Sequence, residues 1–391
     1  MQKEFSMRKV YLDHAATTPA HPEVVQAMLP YFSEIYGNPL SAHDWGKEAA
    51  KGIDRARKAV ARCIGAQTQE IVFTSGGTES NNAVLKGAAM AGRTRGNHII
   101  TTAIEHRAVL SPCTFLERQG FFVTYLPVDS SGMVDPDAVR RAIRPGTLLI
   151  SVMHANNEIG TIQPLAEIGA IAREHAILFH TDAVQTVGHL PIDVEAMHID
   201  LLSASAHKFY GPKGVGFLYV RSGSKIGRFM HGGSQEKSRR GSTHNVPGIV
   251  GMGKAIEIAE QGMRDEIAQL TELRNRLVRG ILEGVKKSFL NGHPDARLPN
   301  NVNVSFRKAQ GEMLLRLLNE EGIGCSTGSA CNSSNVGPSH VLDAIGLSHD
   351  MIAGSLRLSL GRQTTEADID YVVEVLPRAV RKVRTFVEDL R

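Results

Sequence analysis

Tryptophan occurs once and cysteine four times in this chain of 391 residues, and aromatic side chains make up only 5% of it. The cysteines, Cys63, Cys113, Cys325 and Cys331, form no C-x-x-C pair and no ladder with histidine at zinc-finger spacing. Neither a disulfide framework nor a structural zinc site is therefore expected, and no other metal site is. Long apolar runs are missing too. Leu148 to Met153 is among the longest, far short of the ~20 residues a bilayer-crossing helix requires. Charge of one sign is also lacking, because 44 Lys and Arg against 40 Asp and Glu leave +4 with no long basic block, which gives nucleic acid or a membrane surface little to hold. Met1 to Val10 is polar and mixed in charge, without the apolar centre of a secretory signal, so the expectation is a cytoplasmic protein acting on a small molecule.

What is present is an ordinary globular composition, 42% apolar and 21% charged, in a chain long enough for two or three domains. From about residue 45 to 260, amphipathic helical stretches alternate with short apolar runs, the pattern of a mostly parallel α/β sheet covered by helices. His98 to Ala103, Leu148 to His154 and Ile177 to His180 read as strands. Asp135-Pro136 reads as the cap and first turn of a helix to Ile143, and Gln163-Pro164 opens another to about His175. After about Ile258 the texture changes to a long charged helix through Lys287, an alternating strand Asn301 to Phe306, and a terminal helix after Thr365, which reads as a smaller α/β domain. Between Cys325 and Pro338 lies a polar stretch of small residues, too polar to pack as a core element and long enough to move. Ligands of such sheets bind at the carboxyl ends of strands, so polar residues there carry the chemistry.

Three segments answer that description. Thr74 to Asn82 follows a short strand and opens a helix, and its paired glycines, Gly76 and Gly77, with Thr78 read either as a phosphate cradle or as a capped glycine-rich turn. No G-K-[ST] ending follows, so it is not a nucleoside triphosphate loop. Ser205-Ala206-His207-Lys208 follows the apolar run Ile199 to Leu202 and precedes Gly211-Pro212. A lysine set there is either a solvated surface charge or a desolvated amine able to attack a carbonyl. Asp182, just past a strand, is either a cap or an acid that holds a protonated ring nitrogen. An anion cradle, an amine and a strand-end acid in one domain are the three contacts a pyridoxal phosphate site needs.

With these segments, Tyr11-Leu12-Asp13, Gly37-Asn38-Pro39, Glu105-His106, His154 to Gly160, Asp182 to Gln185, Gly328-Ser329-Ala330-Cys331, Pro338 to Leu342 and Arg357 to Gly361 make the chain resemble the class V aminotransferase group of fold-type I pyridoxal phosphate enzymes. Within that group it resembles the NifS/IscS-type cysteine desulfurases over nearly its whole length. The resemblance implies a short segment over residues 1–15 packing with the small domain, a large cofactor-binding domain over 16–260, and a small α/β domain over 261–391 that carries a mobile catalytic loop at about 325–338. It further implies a homodimer that converts L-cysteine to L-alanine and passes the sulfur to an acceptor protein, either an iron–sulfur scaffold or a thiolation protein.

Residue by residue, the resemblance makes Lys208 the amine that joins the cofactor and moves the substrate proton, Asp182 the partner of the ring nitrogen and Gln185 that of the ring hydroxyl. His106 stacks on the ring and helps move protons. Gly77, Thr78, Ser205 and His207 hold the phosphate, with Thr243 reaching it from a partner subunit, while Asn157 and Arg357 orient the substrate. Cys331, among small polar neighbours, reads as the thiol that takes the sulfur, against the alternative of a small buried residue. Cys63, Cys113 and Cys325 read as structural. The chain departs from the group's pattern at His14-Ala15, at Ser242 where glycine is usual, and at Asn332. Ser242 bears on Thr243, since losing a glycine beside it can redirect the backbone. Rival readings are selenocysteine lyase or another aminotransferase of the class, and a phosphate-binding scaffold without catalysis.

Overall fold

The computed structural model describes residues 8–327 and 337–389. Strand β1 (Val10–Tyr11) is followed by the seven strands of a central sheet: β2 (Ile71–Thr74), β3 (His98–Thr102), β4 (Phe122–Leu126), β5 (Thr147–Ser151), β6 (Leu178–Asp182), β7 (Leu201–Ser205) and β8 (Gly216–Val220). Their order across the sheet is β2-β8-β7-β6-β5-β3-β4, and β8 alone runs against its neighbours. Strands β3, β5, β6 and β7 are almost wholly buried, which is why they read as unbroken apolar runs rather than as alternating ones. Helices cover both faces. One apolar core lies beneath Asp44–Cys63 and the start of Val246–Gly284, and another beneath Gly77–Gly92 and Arg107–Glu117.

The local signals explain where the covering helices begin. Asp135 accepts the Asp137 N–H at 2.9 Å and Pro136 occupies the first turn, so the helix Pro136–Ala142 starts where a missing amide proton costs nothing. At Leu165–Glu174 the proline stands one position earlier: Pro164 takes the cap position itself, with no side-chain cap bond.

The smaller unit has its own core around Leu273, Leu277, Val302, Val304, Leu356 and Val372. Its sheet is β9 (Ser288–Leu290), β10 (Asn301–Phe306) and, after β11 (Ile323–Gly324), β12 (Ser355–Ser359), with β10 in the middle and all pairs antiparallel. Strand β1 pairs with β11, so the beginning of the chain is joined to this unit. The 39-residue helix Val246–Gly284 runs unbroken from one core to the other, its early residues such as Met252 and Ile256 in the first and Leu270 to Ile281 in the second. It begins twelve residues before the helix expected from charge patterning, because its first turns are apolar and glycine-rich. Cys63, Cys113 and Cys325 are free thiols, and burial pushes them up to about 11, 12 and 12 respectively.

Candidate active site

The strand-to-helix connections at the carboxyl edge of the central sheet, with β12 from the smaller unit, enclose a cavity of about 230 Å³. Gly77, Thr78, His106, Asn157, Asp182, Gln185, Ser205, His207, Lys208 and Arg357 all line it, so ten positions separated by up to 280 residues meet in one place.

The anion end is built by β2 and the helix Gly77–Gly92. Gly76 caps that helix at φ +149°, and no side chain satisfies the first-turn amides. A Cβ on Gly77 would lie 2.5 Å from Val184 Cγ2, so the close approach of this turn to the Asp182 loop requires glycine. Uncapped N–H groups and the helix dipole favour an anion here. Ser205 and His207 add polar groups from the end of β7. Burial and the neighbouring Lys208 push His207 down to about 4, so its ring is neutral, and Nδ1 lies 3.1 Å from Thr17 Oγ1.

Asp182 ends β6 and is buried. Its Oδ1 accepts the Val184 N–H at 3.0 Å and its Oδ2 accepts Asn81 Nδ2 at 2.6 Å. Each oxygen keeps a lone pair for a cationic ring N–H. Asn81 carries an Oδ1 that is buried without a partner. Asn81 lies one helical turn beyond Gly77, inside the quoted glycine motif. The spacing i, i+4 puts both on one helix face, a signal that sequence reasoning could have used.

Lys208 closes the short 3-10 turn Ala206–Lys208 after β7 and donates from Nζ to the carbonyls of Ala15 and Ala16, at 2.5 and 2.7 Å. Gln185 Nε2 donates to the same Ala15 carbonyl at 3.1 Å. The Ala15 N–H in turn donates to Ser359 Oγ on β12 at 2.8 Å, so the departure at His14-Ala15 leaves a backbone knot that joins the two units beside the amine.

His106 caps the helix Arg107–Glu117, its Nδ1 accepting the Ala108 N–H at 3.1 Å. That bond leaves Nε2 as the nitrogen for a proton, and burial lowers the ring's affinity for a second one. Glu105 beside it joins the ends of β3 and β5, its Oε1 accepting Thr102 Oγ1 at 2.9 Å and the Met153 N–H at 2.8 Å. Complete burial raises its carboxyl to about 8, so it is protonated at neutral pH.

A raised folded-state value means that the contribution of Glu105 to stability is full in acid and falls as pH rises through 8. Between pH 6 and pH 9 the protein is expected to lose on the order of 2–3 kcal/mol through this group. Urea unfolding of Glu105→Gln, which cannot ionise, should show that pH-dependent loss abolished relative to the parent.

Arg357 enters from β12 and is only 2% exposed. Its Nη2 binds Asp13 Oδ1 at 2.9 Å and its Nη1 donates to the Asn157 carbonyl at 3.2 Å, while Nε is buried without a partner. A fixed guanidinium beside the cavity suits a carboxylate, since its fork binds two oxygens at once. Arg357→Lys is expected to raise KM for an amino acid substrate by about 10- to 100-fold with a smaller change in kcat, read by steady-state kinetics.

Thr243 is exposed and does not line this chain's cavity, and Cys331 lies outside the described residues. Sequence reasoning missed Asn81, Glu105 and the pairing of Asp13 with Arg357. Asp13 and Arg357 are 344 residues apart, and no local spacing announces them.

The cavity of a doubly covered, mostly parallel sheet, with an anion-binding helix end, a buried acid and an amine, defines a fold-type I pyridoxal phosphate site. Residues 10–372 match the aminotransferase class-V family, and the chain belongs to it. The chain is 58% identical to a cysteine desulfurase IscS of Methanosarcina thermophila, covering 96% of this chain and 93% of that protein. To a cysteine desulfurase IscS of Dictyoglomus turgidum it is 55% identical, over 97% and 96%. Among solved structures, a NifS-like protein superposes with a TM-score of 0.91 at 40% identity, covering 96% of this chain and all of the other. SspA in complex with cysteine superposes at 0.81 and 42%, over 90% and 99%. The family's cofactor is pyridoxal phosphate. The uncapped helix end, the Asp182 carboxylate and the unpartnered Asn81 oxygen fit its phosphate and its ring.

Proposed function

We propose that this chain is a pyridoxal phosphate-dependent cysteine desulfurase that moves the sulfur of L-cysteine onto Cys331 and releases L-alanine. The meeting in one cavity of ten residues that lie up to 280 positions apart in the chain supports this reading most strongly. The helix end at Gly77 and Thr78, with Ser205 and His207, would hold the phosphate, while Asp182 would keep a proton on the ring nitrogen and Gln185 would meet the ring hydroxyl. The bound cofactor supplies an electron sink for the substrate's alpha carbon. Arg357 and Asn157 hold the substrate carboxylate, so that Lys208 Nζ removes the proton from that carbon. His106, which lines the cavity and whose Nδ1 is taken by the Ala108 N–H, would face the cofactor ring and donate and receive protons through Nε2.

The Cys331 thiolate then attacks the substrate sulfur. A sulfur–sulfur bond forms as the carbon–sulfur bond breaks, the carbon keeps the electron pair and takes up a proton, and the products are alanine and a Cys331 persulfide. That sulfur passes to an acceptor protein of iron–sulfur assembly or of thiolation.

The enzyme acts in the cytoplasm as a homodimer. Among the described residues no helix is long and apolar enough to cross a membrane. Leu29, Phe32, Tyr36, Leu40 and Trp45 stand exposed within one short stretch, an apolar surface that a second copy would cover. The working division of the chain is a segment over residues 1–15, a cofactor domain over 16–260 and a small domain over 261–391 with a catalytic loop at about 325–338. Incubation with L-cysteine and a thiol reductant should yield alanine and sulfide in equal amounts. Pyruvate, or consumption of a keto acid, in place of alanine would contradict the assignment.

A further inference from the structure

The stretch that leads to Thr243 carries more backbone strain than any other part of the described chain. Glu236, Lys237, Ser238 and Ser242 lie at φ +46°, +56°, +63° and +96°, a region that residues with a Cβ seldom occupy because that atom crowds the following carbonyl. Serine at position 242 thus keeps a left-handed path that glycine would follow freely. Such strain persists only where surrounding contacts over-determine it.

Those contacts are unusual in kind. Glu236 is buried, and its carboxylate accepts four hydrogen bonds: from Arg57 Nη2 at 2.7 Å and Nη1 at 2.9 Å, from His244 Nε2 at 2.7 Å and from the Phe73 N–H at 2.9 Å. Burial would raise this carboxyl, but the His244 and Arg57 bonds hold it at about 2. A second tie joins Arg240 to Glu79, at 2.9 and 3.3 Å, and Glu79 also accepts the Ser75 N–H at 2.8 Å.

The two ties bracket Thr243. Arg240 precedes it by three residues and His244 follows it directly. Both lead to the same scaffold, since Phe73 lies in β2 and Glu79 in the first turn of the helix Gly77–Gly92, the elements that build the anion end of this chain's own cavity. Thr243 itself is exposed and lies outside that cavity. A buried ion pair with this many donors is thus spent on fixing the shape of an exposed arm.

We propose that Glu236, seconded by the Arg240–Glu79 pair, is a positioning residue acting in trans: it holds the arm in the shape that delivers Thr243 to the cofactor phosphate of a second copy. The proposal rests on the homodimer reading above.

The test follows cofactor release from the holoprotein by absorbance after gel filtration. Glu236→Gln and Thr243→Ala should each speed release at least about 10-fold, and the double variant no further than the faster single one, as for two groups on one path. Mixed dimers, made by co-expressing two differently tagged chains, separate trans from cis. When one chain carries Lys208→Ala and the other Glu236→Gln, cofactor is tethered in the Glu236→Gln chain but served by an intact arm, and release should be as slow as in the parent. When both substitutions sit on one chain, the intact chain holds cofactor but receives the damaged arm, and release should be fast.

The opposite pattern, fast in the first pair and slow in the second, overturns the proposal and leaves the dimer standing. Unchanged release in Thr243→Ala also overturns it. A parent holoprotein that sediments as a monomer overturns both the dimer and the proposal. Arg240→Gln, which breaks the second tie without touching the buried carboxylate, is run through the same pairs and should give the same pattern if Glu236→Gln folds poorly.

Discussion

Lys208→Ala is expected to reduce alanine formation from cysteine by about 10⁴-fold or more, the combined effect of losing a covalent anchor and a positioned proton carrier. The structural reason is the density of contacts around one amine. Lys208 Nζ is held by the Ala15 and Ala16 carbonyls, beside an anion-binding helix end and a buried carboxylate. A methyl side chain leaves those groups in place, so the variant should still bind cofactor, but weakly, and it should lose its yellow colour on gel filtration. Added methylamine should restore little, because the amine's value lies in its fixed position. Alanine formation within 10-fold of the parent would show that another group moves the proton.

Cys331→Ala is expected to separate binding from sulfur transfer. The variant should bind cysteine with unchanged affinity, because Arg357, Asn157 and Lys208 are intact, yet form alanine at least about 10³-fold more slowly. Cys325 gives the contrast. Burial holds its thiol at about 12, so at pH 8 only about one molecule in 10⁴ carries a thiolate there. Cys325→Ala should therefore keep near-parent activity and show its effect in stability, on the order of 1 kcal/mol for a half-buried small side chain. Single-turnover kinetics with each variant, following alanine and substrate binding separately, decide the point. Equal losses in both would mean that the loop's composition, rather than one sulfur, limits the reaction.

Much of this site was legible from sequence because fully buried strands end in polar residues. His98, Leu148 and Ile177 mark apolar runs that became β3, β5 and β6, and His106 stands just beyond the carboxyl end of β3 and Asp182 at that of β6. Strand boundaries were less legible. The run from Leu148 to His154 looks continuous, but the strand stops at Ser151, and Val152 to His154 lead on toward Asn157, with the His154 N–H bound to the Asp182 carbonyl at 2.9 Å.

Strands β4 and β8 carried weaker signals. β4 is an edge strand with exposed Phe122 and Tyr125, and β8 is antiparallel in an otherwise parallel sheet. What could not be read at all were pairings over long separations: Asp13 with Arg357, Arg57 with Glu236, and the Ala15 carbonyl with Lys208. Each depends on tertiary packing, which local periodicity does not encode. The substitution of Ser242 for glycine was visible as a departure, but its consequence was not, since the left-handed path survives on contacts made by Glu236 and Arg240.

The central claim, that sulfur leaves cysteine for one particular thiol, is tested most directly by peptide mass spectrometry of the protein after brief exposure to L-cysteine without reductant. The account predicts one additional sulfur on the peptide that contains Cys331 and none on those containing Cys63, Cys113 or Cys325. Alanine released with no sulfur gained at Cys331, or the additional sulfur found on Cys325, would contradict it.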